Sequence, residues 1–118
     1  MSTPAGPLQE SGWVTLDASG NGTLKMVPYG GAVAWLPSVL SVKASSNTAE
    51  ASCRNYIGPA PADQWFVDGT LSGSTGDSTD AVAGRQVDTH GNSLWAVWEG
   101  GDPGATATMT VSGTQVRP

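Results

Sequence analysis

Leu94-Trp95-Ala96-Val97-Trp98-Glu99-Gly100-Gly101-Asp102-Pro103-Gly104-Ala105-Thr106-Ala107-Thr108-Met109-Thr110-Val111 reads as two β-strands joined by a turn. In the second strand Ala105, Ala107, Met109 and Val111 fall on one face, and Thr106, Thr108, Thr110 and Ser112 on the other. Side chains alternate across a strand with a period of two, so an apolar row turns inward and a hydroxyl row outward. In the first strand Trp95 and Trp98 point to opposite faces. Both belong to a core only if the outer face of their sheet is also covered. One tryptophan is therefore expected in the core and the other at a subunit contact or a ligand platform.

Upstream the chain reads as more strands of the same kind. Residues 13–17 and 23–27 are expected as strands around the turn Gly20-Asn21-Gly22, which is hairpin chemistry because Gly and Asn tolerate positive φ. Residues 32–36 form another, Pro37 marks a bend or an edge, and residues 39–43 continue it or start the next. The alanines of residues 49–57 would suit a helix. Gly58-Pro59-Ala60-Pro61 stops that segment, and a strand is assigned. Residues 64–68 and 85–88 complete the set, with residues 69–84 between them as a long Gly/Ser/Thr/Asp loop. Residues 1–12, with their Pro and Gly, read as an extended N-terminal arm, and residues 13–118 as a single domain. The expectation is an all-β fold: an antiparallel two-sheet sandwich, jelly-roll-like, with about seven to nine short strands. A small closed barrel is the alternative.

Composition supports this reading and excludes several function classes. The 118 residues suffice for one domain with a real core, and 16 Gly and 8 Pro fit an all-β chain with many turns. Net charge is −5, and the basic residues Lys25, Lys43, Arg54, Arg85 and Arg117 are scattered. Nucleic-acid binding needs a basic footprint, and so does binding to anionic membranes, so neither partner is expected. Cys53 is the single cysteine, which rules out an intrachain disulfide and leans towards assembly in a reducing cytoplasm. The N-terminus has no basic or apolar signal region, and the apolar-leaning run 32–42 is too short to span a bilayer. Synthesis in the cytoplasm is expected.

The five tryptophans Trp13, Trp35, Trp65, Trp95 and Trp98 carry most of the functional signal. Tryptophan is largely buried on average and enriched at interfaces, so core or interface roles come first. Trp13, Trp95 and Trp98 are the interface candidates. Exposed rings in a row on a sandwich also stack on sugars, which makes Trp65 and Trp98 candidates for a ligand platform. Asp68, Asp77, Asp80 and Asp88 sit in or beside the long loop and could hold calcium, but they match no EF-hand spacing and serve equally well as turn residues. His90 lies in the turn Thr89-His90-Gly91-Asn92 without a second histidine, so no zinc-type site is expected. No Gly-x-Ser-x-Gly elbow appears, a Cys53–His90 dyad has no local signature, and Gly30-Gly31 and Gly100-Gly101 are not phosphate loops. No catalytic residues, metal or cofactors are expected, and the chain is read as a non-enzyme.

Residues 64–113 carry a resemblance. Phe66-Val67-Asp68-Gly69-Thr70-Leu71-Ser72-Gly73, then Gly76-Asp77-Ser78-Thr79-Asp80, then the stretch from Leu94 to Ala105 resemble small virion proteins of tailed phages of actinobacteria. The early Gly22-Thr23-Leu24-Lys25-Met26-Val27-Pro28 segment followed by Trp35 fits the same pattern. The resemblance implies a non-enzymatic structural component, of the capsid decoration, head-fibre or tail accessory type. It implies the major capsid protein or a tail protein as partner, a homo-oligomer with a trimer favoured, and the virion as location. A glycan-binding, lectin-like module for attachment to the host surface is the alternative.

Overall fold

The computed structural model describes residues 5–28, 34–45, 51–72, 77–79 and 86–116. Nine strands lie among them: β1 (Ala5–Thr15), β2 (Gly22–Met26), β3 (Ala34–Ala44), β4 (Ala51–Gly58), β5 (Phe66–Ser72), β6 (Asp77–Thr79), β7 (Val87–Asp88), β8 (Ser93–Glu99) and β9 (Thr106–Val116). A single 3-10 turn, Asp63–Trp65, precedes β5.

Every pairing is antiparallel. One sheet has the order β1-β9-β3-β6, with β7 taking a second stretch of the same β3 edge. The other has the order β2-β8-β4-β5. The chain crosses from sheet to sheet at most connections, and the last strand inserts between the first and third. That is jelly-roll topology, in which neighbouring strands come from distant parts of the chain.

β9 is the centre of the first sheet. Its Ala107, Met109 and Val111 are buried while Thr106 is exposed, as the alternation requires. β1 begins at Ala5, well ahead of the start at Trp13 that the pattern predicts. Residues 5–12, read above as an arm, pair residue for residue with Val116 through Met109. Pro7 disguises this segment in the sequence, yet β1 is an edge strand, the place in a sheet where proline is tolerated. Pro37 sits inside β3 rather than ending it. The register shifts between Pro37 and Val39, so Ser38 is the extra residue of a bulge, a site at which proline is tolerated in an interior strand.

The turn at Gly20-Asn21-Gly22 does not close a hairpin, because β1 and β2 lie in different sheets. It is a corner. The Asp17 carboxylate accepts N–H bonds from Ser19 (2.8 Å) and Asn21 (3.0 Å), and the Asp17 N–H donates to the Asn21 carbonyl (2.8 Å). Gly20 has φ 77°, and a Cβ there would collide with the carbonyl of Gly101. The β8–β9 connection packs against this corner through Gly101 N–H to Gly20 O (3.0 Å) and Gly100 N–H to Asn21 Oδ1 (3.1 Å). The same construction recurs between β7 and β8. Asp88 accepts from His90 N–H (2.8 Å) and Asn92 N–H (3.2 Å), and its own N–H donates to Asn92 O (2.9 Å). Asp-x-x-Gly-Asn is thus a recurring device for passing the chain from one sheet to the other.

Residues 64–68 are not all strand: Gln64 and Trp65 belong to the 3-10 turn and β5 starts at Phe66. Within the expected loop 69–84, β5 runs to Ser72 and Asp77–Thr79 forms β6. Residues 73–76 and 80–84, with Asp80, lie outside the described residues.

The core fills the space between the sheets. Trp35 from β3 and Trp98 from β8 are its largest members, joined by Leu40, Ile57, Leu94, Met109 and Val111. Burial of each such side chain stabilises by about 1.5–3 kcal/mol. Asn55 is buried among them. Its Nδ2 donates to Trp95 O (3.4 Å) and contacts Met109 Sδ (3.3 Å), so one amide links β4 both to its neighbour and to the facing sheet.

Candidate functional site

The two outer faces of the sandwich differ, and the tryptophans show how. Trp98 is wholly buried, with no accessible surface. It therefore offers nothing to a subunit or a ligand, which corrects its place among both the interface and the platform candidates. Its inward direction follows from β8, where Leu94, Ala96 and Trp98 share the core face. Trp95 turns outward on the same strand.

On the first sheet, Trp13 stands 66% exposed on β1. Thr108 lies beside it on β9, and Lys43 on β3 lies opposite Thr108 in turn. The next row is Ser11, Thr110 and Ser41, with the Ser11 and Thr110 hydroxyls 2.9 Å apart. Further along, Pro7 and Leu36 flank Thr114, and Leu36 is 40% exposed. This face is a field of hydroxyls with one open indole and a small apolar end.

On the second sheet, register aligns one row across all four strands. Lys25 lies opposite Trp95, Trp95 opposite Tyr56, and Tyr56 opposite Phe66. The Lys25 ammonium sits 5.4 Å from the Trp95 ring centroid, a cation–π geometry. The Trp95 Nε1–H donates to Gly58 O at 2.9 Å, which fixes the indole. Tyr56 and Phe66 meet edge to face with centroids 5.9 Å apart. Trp65 lies on the Cα of Gly58, where a Cβ would stand 2.5 Å from the indole ring. Phe66 remains 45% exposed. Beside it opens a cleft of about 450 Å³ lined by Arg54, Asp63 and Phe66. Trp65 was among the platform candidates. Tyr56, Phe66, Arg54 and Asp63 were not, because only strand register brings them together.

The groups considered for catalysis are dispersed. Cys53 is buried in the core, and that burial pushes its thiol up to about 12, so it is protonated at neutral pH. His90 is exposed in the β7–β8 corner, so the two form no dyad. The Asp17 carboxyl is held below its ordinary value by the Asn21 and Ser19 amides. Asp88 is lowered likewise, chiefly by the His90 amide. Both carboxylates are occupied in corners. Among the described residues no three His, Cys, Asp or Glu side chains are grouped to hold a metal. No described helix is long and apolar enough to cross a membrane.

No protein-family model matches the chain, and no curated protein matches it in sequence. Among solved structures it is similar to the structure of a family two carbohydrate esterase from Cellvibrio japonicus, at 11% identity and a TM-score of 0.35. That match covers 94% of this chain and 36% of the esterase chain, so this chain spans the smaller part of that protein's length.

Proposed function

We propose that this chain is a non-enzymatic structural protein of a bacteriophage particle, a decoration or head-fibre type subunit seated on the lattice of the major capsid protein. The observation that carries the reading furthest is Trp13, an indole 66% exposed on the outer face of an edge strand. Open tryptophans on such faces are common anchors of protein contacts, and removing one typically costs about 2 kcal/mol or more of association. Among the described residues β1 is the end strand of its sheet, an edge that a neighbouring subunit would cover. The phage-like signatures in residues 64–113 supply the setting. In this proposal the assembled form is a homo-oligomer, a trimer being favoured, and the location is the virion. A tail accessory subunit would use the same face on a different partner.

The test is co-sedimentation of the purified chain with phage capsids stripped of their accessory proteins. Saturable binding that Trp13→Ala weakens supports the capsid reading. Binding to tails alone moves the subunit to the tail, and binding to neither removes the virion proposal. Carbohydrate binding is the second reading, favoured by the aromatic row on the opposite sheet. The two are compatible, because Trp13 and that row lie on different faces.

A further inference from the structure

We propose that the cleft between Arg54, Asp63 and Phe66 is a binding site for neutral pyranose units of a polysaccharide. Three features select that ligand. Phe66 presents an open ring, and the apolar C–H face of a pyranose packs on such a ring as another apolar surface would. Arg54 and Asp63, both exposed, line the same cleft as a donor fork and an acceptor. Adjacent sugar hydroxyls both donate and accept, so they satisfy the two groups together. One positive and one negative side chain leave the cleft without net charge, which disfavours phosphates and nucleic acid.

The row beyond the cleft extends the site. Trp95 and Phe66 lie two strands apart on the same face, roughly 10 Å at the usual strand spacing. Tyr56 fills the floor between them at 5% exposure, and both flanking rings retain accessible surface. That spacing suits consecutive sugars of one chain. The rings are also held before any ligand arrives. Trp95 is fixed by its bond to Gly58 O, Trp65 by contact with Gly58, and Tyr56 by the edge of Phe66. Rings already ordered lose little further freedom on binding. The cleft lies on the sheet opposite to Trp13, so the site does not depend on the virion reading.

The experiment titrates the full chain with neutral tetrasaccharides of glucose, galactose, mannose and rhamnose, followed by calorimetry and tryptophan fluorescence. Binding of at least one is expected. Phe66→Ala should weaken it by about tenfold, the share of one stacking ring. Arg54→Ala should weaken it similarly while leaving the fold intact, since its side chain is exposed. Trp13→Ala should leave sugar affinity unchanged, and Phe66→Ala should leave capsid binding unchanged. Absence of binding to every sugar up to millimolar concentration overturns the proposal. So does sugar binding that survives both Phe66→Ala and Arg54→Ala. Self-association abolished by Phe66→Ala, with no sugar bound, would assign the cleft to a second copy of the chain and overturn it equally.

Discussion

The outer faces of the two sheets are made by the same alternation and finish differently. On the β1-β9-β3 face, Thr108 and Thr110 surround a tryptophan whose ring is mostly open to water. On the β2-β8-β4-β5 face, Tyr56 meets Phe66 edge to face, Trp65 lies on Gly58, Trp95 bonds to Gly58 O, and Lys25 covers one end. The first face holds apolar surface that folding leaves uncovered. The second has built a small satellite cluster outside the main core. Trp13 thus stands open among hydroxyls with nothing packed over it, whereas the aromatic row of the other sheet is ordered by its own contacts and still leaves Phe66 open to a partner.

This difference is open to attack by mutation. The largest effect is expected at the interior reference point: Trp98→Ala should destabilise by about 3–5 kcal/mol in denaturant melts, because it empties a fully enclosed site. Gly58→Ala comes next. Its Cβ would displace the Trp65 ring, at a cost of about 1–3 kcal/mol, together with a shift in tryptophan fluorescence. If Gly58→Ala proves neutral, the satellite cluster is not the packed unit described. Acid dependence follows from the corners. Asp17 and Asp88 have folded-state values below the ordinary 3.8, so their contribution is complete above that value and is lost as pH falls through the lowered one. Stability should therefore drop below about pH 4, and the Asp17→Asn, Asp88→Asn double variant should show a flatter acid limb. The smallest effect is expected at Trp13. Trp13→Ala should alter the stability of the isolated chain by no more than about 0.5 kcal/mol, since so little of the ring is buried.

The fold was readable where local pattern and long-range partner agree. The alternation from Ala105 to Val111 announced the core face of β9, and the opposed directions of Trp95 and Trp98 were correct in geometry. What could not be read was which of the two goes inside, because that depends on where the second sheet lies. Pro7 hid the first half of β1, since its tolerance on an edge strand depends on an order that local sequence does not carry. The Asp17 and Asp88 turns were visible as turns. Their chemistry is the same for a hairpin and for a corner, and only the partner strand distinguishes the two. The aromatic row was invisible for a related reason: Tyr56, Phe66 and Trp95 become neighbours only through β4 pairing with both β5 and β8.

The central claim is that the Trp13 face makes the contact on which assembly depends. The direct measurement compares wild type with Trp13→Ala, by mass in solution from light scattering and by saturation binding to stripped capsids. The account predicts a trimer for the wild type, and capsid binding that weakens by about 2 kcal/mol in the variant while its melt is unchanged. Identical mass and identical capsid affinity for the two proteins would contradict it.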